Sequence, residues 1–100
     1  MPINKYRLIE AYDYRGNAKI SLSNYGGAII DYTSVIKIDS KDSYLFFWRG
    51  FAYEALQKYR EAIEDFKISL KIDPDFWLAK IMLDDTKKNL NFMNIKSFSF

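Results

Sequence analysis

The chain is 100 residues long, with 49% hydrophobic and 28% charged residues and a formal net charge of +2, a balance that describes one small folded domain rather than a disordered chain. It contains neither cysteine nor histidine, which excludes disulfides, thiolate zinc sites, histidine-based triads and the commonest general base. Its lysines and arginines are interleaved with acids and nearly balanced by them, so neither nucleic acid nor an acidic membrane is an expected partner.

The N-terminus, MPINKYRL, lacks the apolar stretch of a signal peptide. The longest apolar run, Tyr44 to Trp48, is far short of the roughly 20 residues that span a bilayer. A cytoplasmic protein is expected. Residues 1–8 read as a lead-in, with Pro2 suited to a helix entry and Asn4 placed to cap a helix starting at Lys5. A first helix is expected over about Ile9 to Leu22, ending at Ser23-Asn24, and a second over about Gly26 to Ile38. Gly26 and Gly27 weaken the second helix by about 1 kcal/mol each relative to alanine if they lie inside it.

The turn Asp39-Ser40-Lys41-Asp42 is rich in capping residues, and a third helix follows from Ser43 to about Leu56. Phe46, Arg49, Gly50 and Tyr53 share one of its faces, and Tyr44, Phe47, Trp48 and Phe51 share a neighbouring one. A helix with one buried face needs only one such stripe, so this helix is expected to have contacts on both sides. A fourth helix runs from about Arg60 to Ile72 and is stopped by Pro74. A fifth is expected from Phe76 to about Leu90, followed by the apolar tail NFMNIKSFSF, free to dock or to fray.

Two of these helix pairs are copies. Shifted by 34 residues, Ile9–Ser40 and Ser43–Pro74 share Arg15/Arg49, Gly16/Gly50, Ala18/Ala52, Leu22/Leu56, Tyr25/Tyr59, Ala28/Ala62, Ile29/Ile63, Asp31/Asp65, Lys37/Lys71, Ile38/Ile72 and Asp39/Asp73. A gapless period of this length marks a repeat architecture. Gly50 and Ala62 are small where two antiparallel helices must approach closely, and Phe46, Tyr53 and Phe66 fill the space around them. The recurrence of Arg49 with Asp65 and of Arg15 with Asp31 predicts an ion pair joining the two helices of each repeat; the alternative is independent surface charges.

The pattern resembles the tetratricopeptide repeat (TPR), a 34-residue helix–turn–helix unit. Phe46, Gly50, Tyr53, Tyr59, Ala62, Phe66, Ser69 and Pro74 match it in the second repeat; Tyr12, Gly16, Tyr25, Ala28 and Tyr32 match it in the first. The first departs at Lys19 (usually Tyr), Val35 (usually small) and Ser40 (usually Pro). The resemblance implies an all-α, right-handed superhelical solenoid in one domain: lead-in 1–8, repeat 1 at 9–42, repeat 2 at 43–76, a solvating helix at 77–91 and the apolar tail at 92–100.

It also implies a concave groove lined by the first helix of each unit. Carried over position by position, that groove comprises Glu10, Asp13, Asn17 and Ile20, then Tyr44, Phe47, Phe51 and Glu54, then Leu78, Ile81 and Asp85. Family members that clamp the C-terminal carboxylates of heat-shock chaperones use basic and Asn side chains there. Only Asn17 matches; Asp13 stands where Lys is needed, Trp48 replaces Asn, and Leu78 and Met82 replace basic residues. An acid in that place repels an acidic ligand.

Phosphate-binding glycine patterns are absent, and Glu64-Asp65 and Asp84-Asp85 are sequence neighbours that point different ways round a helix. The expected function is therefore non-catalytic: a module without cofactor or metal that binds a protein or peptide with apolar anchors. The alternative is a self-associating unit, a homodimer through the groove or the array end. Tyr44, Phe47 and Phe51 would otherwise form an apolar patch in water, which Phe92, Met93, Phe98 and Phe100 are candidates to cover.

Overall fold

The computed structural model describes residues 4–98. Among them lie five helices and no strand: α1 (Lys5–Ser21), α2 (Tyr25–Ile38), α3 (Ser43–Ala55), α4 (Tyr59–Ile72) and α5 (Trp77–Phe98). The Asn4 side chain accepts a hydrogen bond from the Arg7 amide, so α1 begins at Lys5, as that cap predicts, and the lead-in runs directly into the first repeat's helix. Asn24 and Asp42 cap α2 and α3 in the same manner, through Gly27 and Tyr44. These side chains satisfy amides that have no partner within the helix.

The turns inside the two repeats are also copies. Ser23 and Gln57, 34 residues apart, both take left-handed backbone (φ 58° and 62°). Asn24 and Lys58 then return their amides to the carbonyls of Lys19 and Tyr53. Such a turn closes the end of a helix by satisfying its last carbonyls, and folds the next helix back antiparallel.

Each helix packs on the next in the chain, and α3 also meets α5. This zigzag places α1, α3 and α5 in one layer and α2 and α4 in the other. Within each pair, closeness rests on glycine. A methyl group on Gly50 would come within 2.9 Å of the buried Phe66 ring and 3.1 Å of Asp65, and one on Gly16 within 3.0 Å of Tyr32. Ala28 and Ala62 are fully buried on the facing helices.

Two apolar clusters result. One gathers Phe47, Ala62, Ile63, Phe66, Ala79 and Leu83; the other gathers Ala28, Tyr32, Val35 and Leu45. Leu45 is an α3 residue in the first repeat's cluster, so α3 carries the joint between repeats. Arg49 Nε and Nη2 bind Asp65, Arg15 Nε and Nη2 bind Asp31, and Lys19 Nζ reaches Asp31 at 2.9 Å. Lysine at position 19 thus exchanges an aromatic ring for a second cation on a buried carboxylate.

The fifth helix does not end near Leu90. It runs through the segment expected as a tail to Phe98, because no proline or glycine follows Pro74 to stop it. Its Ala79, Met82, Leu83 and Leu90 pack on the second repeat. Lys80, Asp84 and Lys87 stand in the register of Phe46, Gly50 and Tyr53 and are exposed. Where a partner helix would pack, α5 is polar. Among the described residues no helix is long and apolar enough to cross a membrane.

Candidate functional site

Six aromatic rings form a continuous run along α3, from Tyr25 at the start of α2 to Phe76 in the turn before α5 and on to Tyr44. Tyr25 meets Phe51 at 6.4 Å between centroids, Phe51 meets Trp48 at 5.5 Å, and Trp48 meets Phe47 at 5.2 Å. Phe47 continues to Phe76 at 4.9 Å, and Phe76 to Tyr44 at 5.0 Å. Three of these rings were expected in the groove, and their roles differ. Tyr44 is 58% exposed, Phe51 is half-buried, and Phe47 retains only 3% of its surface.

Phe47 is therefore corrected from a groove residue to a core residue. It packs between Phe66 on α4 and Phe76 in the turn before α5. Phe76 covers part of the aromatic stripe, lying against Phe47 and Tyr44. Phe92 is exposed on the far turns of α5 and Met93 partly so; the Phe100 expectation lies outside the described residues, as does the side chain of Phe98. The aromatic pair Phe76-Trp77, one residue beyond the proline stop, was the available signal for Phe76.

The other expected residues are distributed as follows. Glu10 and Asn17 are exposed and Asp13 half-buried on α1. Glu54 is half-buried and accepts a 3.3 Å hydrogen bond from Asn89 Nδ2, which links α3 to α5. Leu78 and Ile81 keep 38% and 47% of their surface, and Asp85 is exposed beside them. Together with Tyr44 they give the α5 side of the groove an open apolar edge.

The α1 side is polar. Tyr32, fully buried on α2, donates its phenol hydrogen to Asn17 Oδ1. Burial, followed by the charges of Asp13 and Asp31, pushes that phenol upward, so it remains a donor at every ordinary pH. Burial and then the Asp42 carboxylate push Asp13 upward as well. A cavity of about 270 Å³ opens between Asn17, Ile20 and Ser21 of α1 and Trp48 of α3. The sequence left Trp48 without a role; it packs against both apolar clusters and forms a wall of this cavity.

Known proteins share this architecture. The family model described as tetratricopeptide repeat matches residues 43–76. The chain is 26% identical to the second TPR domain of human RPAP3, solved in complex with the HSP70 peptide SGPTIEEVD, with a TM-score of 0.83 over 91% of this chain and 76% of that one. It is 31% identical to the Arabidopsis OM64 TPR domain, with a TM-score of 0.77 over 81% of this chain and 67% of that one. It is also 32% identical over 85 residues to serine/threonine-protein phosphatase T of Aspergillus oryzae, a match covering 85% of this chain and 18% of that protein.

Proposed function

The chain belongs to the tetratricopeptide repeat family, and on that premise we propose that it is a non-catalytic protein-interaction module whose α1–α3–α5 groove binds a peptide or helix through apolar anchors. The observation that carries this reading is the open edge formed by Tyr44, Leu78 and Ile81, three large apolar side chains left exposed on adjoining helices. Apolar side chains of a ligand gain most where such an edge borders a packed aromatic floor that does not have to reorganise.

The ligand is not an acidic C-terminus in this reading. The second TPR domain of human RPAP3 is solved in complex with the HSP70 peptide SGPTIEEVD, and TPR domains of yeast Sti1 in pHSP90 and pHsp70 complexes. The corresponding wall of this chain presents Asp13, Trp48, Leu78 and Met82. A carboxylate approaching Asp13 meets like charge, and the three apolar residues offer it no cation.

A phage-displayed peptide selection tests the function. Enriched peptides are expected to carry spaced apolar residues, to bind the wild type and to lose binding to the Tyr44→Ala/Ile81→Ala variant. They should still bind Tyr6→Ala, which alters an exposed aromatic at the start of α1. Peptides that bind all three alike would overturn the groove as the site. Titration with SGPTIEEVD tests the second part: micromolar binding sensitive to Asn17→Ala would restore an acidic-peptide function.

A further inference from the structure

The α1 wall of the groove carries Asp13, a half-buried acid one turn before Asn17. Resting on the peptide-groove reading above, we propose that the cavity between Asn17 and Trp48 receives a cationic side chain of the ligand, arginine in preference to lysine, with its charged end toward Asp13.

The charge argument begins with the buried acids. Asp31 and Asp65 are both held by arginine, and Asp31 by Lys19 as well. Asp13 is half-buried one turn before Asn17, and among the described residues it has no ion pair. Arg15 and Lys19 of α1 are already committed to Asp31. Asp42 adds a second carboxylate to the same neighbourhood. A half-buried carboxylate without a counter-ion beside another acid makes a local negative potential, which an arriving cation relieves.

The shape argument concerns Trp48. Its ring meets Phe47 and Phe51 in T-shaped pairs, at interplanar angles of 80° and 70°. Because it also packs against both apolar clusters, it is fixed before any ligand arrives. Tryptophan is the strongest aromatic partner for a cation. A guanidinium is planar, stacks on such a ring and forks to a carboxylate at its edge; an ammonium offers only a point charge. Asn17 Oδ1, oriented by the Tyr32 phenol, retains a lone pair for a further N–H.

The test uses Trp48 as its own reporter, in a Trp77→Phe background that removes the exposed second tryptophan. The probes are the peptide amide LARAL, the same peptide with lysine in the centre, and one with citrulline, the neutral isostere of arginine. Arginine is expected to bind about tenfold more tightly than citrulline, the scale of one charge-assisted hydrogen bond, with lysine between them. Asp13→Asn should abolish that ratio, Glu64→Gln, which alters an exposed acid on α4 away from the groove, should leave it, and 1 M salt should reduce it in the unaltered chain. Equal affinity for arginine and citrulline, or a ratio that survives Asp13→Asn, overturns the cation site while leaving the apolar groove intact. No binding by any probe overturns the cation site also; the groove reading then falls only if the display selection yields nothing dependent on Tyr44 and Ile81.

Discussion

Arg49 grips Asp65 with two parallel hydrogen bonds of 2.8 Å, Nε to Oδ2 and Nη2 to Oδ1, and its remaining Nη1 crosses to the Thr33 hydroxyl of the preceding repeat at 3.3 Å. One repeat earlier Arg15 holds Asp31 in the same pose. The environments differ: the Arg49 side chain is 17% exposed, that of Arg15 57%. A double-mutant cycle on Arg49 and Asp65 should give a coupling energy of about 1–3 kcal/mol, and the Arg15/Asp31 cycle a smaller one, because solvent screens the exposed member. Urea unfolding of the four single and two double variants measures both. Equal couplings would refute the role given to burial.

The same carboxylates set the acid response. The Arg15 hydrogen bond, with Lys19 behind it, holds the Asp31 carboxyl below the ordinary range although burial opposes them. A depressed folded value means that the charged form is favoured by folding. The stability this supplies is present above the unfolded value of about 4 and is lost as pH falls through the folded one. Thermal melts of the wild type should therefore decline below about pH 4, and Asp31→Asn should lack that part of the decline. Burial pushes Asp65 the other way, against its arginine, so Asp65→Asn should not remove the decline. Identical acid limbs for wild type and Asp31→Asn would contradict the assignment.

Thr86 on α5 is fully buried, and its hydroxyl has no hydrogen-bond partner among the described residues. The register places it where the repeats have Ala18 and Ala52. Thr86→Val removes the unpartnered hydroxyl and keeps the shape, and should raise stability by about 1 kcal/mol in urea. A loss of stability would mean that the hydroxyl is satisfied in solution.

Glycines separate close approach from plain helix weakness. Gly26 has nothing within 4 Å of an added methyl group, so Gly26→Ala should stabilise the protein by up to about 1 kcal/mol. Gly50→Ala gains the same helix preference but drives the methyl group against Phe66, an overpacking penalty of about 1–3 kcal/mol. Its midpoint in thermal unfolding should fall. Opposite signs for the two substitutions are the expected outcome.

Much of this architecture could be read directly from the residues. The Arg–Asp pairs and the small positions Gly50 and Ala62 recur in both copies of the repeat, and the cap Asn4 and the five-helix order follow from local chemistry. Phe47 could not be placed in this way. On the helix wheel it belongs with Tyr44 and Phe51, and only the return of Phe76 from the following turn buries it. α5 outruns the expected end near Leu90 because apolar spacing weakens after Leu83 while no proline or glycine follows to stop the helix. Trp48 escaped assignment because it lies between two faces, and in the fold both faces are occupied.

That double occupancy bears on how the molecule comes apart. In a linear array each unit contributes its own stability plus a term for the joint with its neighbour, and the joint decides whether units melt singly or together. The first repeat is intrinsically the poorer one, with two glycines in the first turn of α2 and a more exposed ion pair. Trp48 is anchored in both apolar clusters at once, so the first repeat cannot open without withdrawing contacts from the second. Leu45 and the Arg49–Thr33 hydrogen bond cross the same joint, so unfolding is tied into one cooperative event with Trp48 at the middle of the latch.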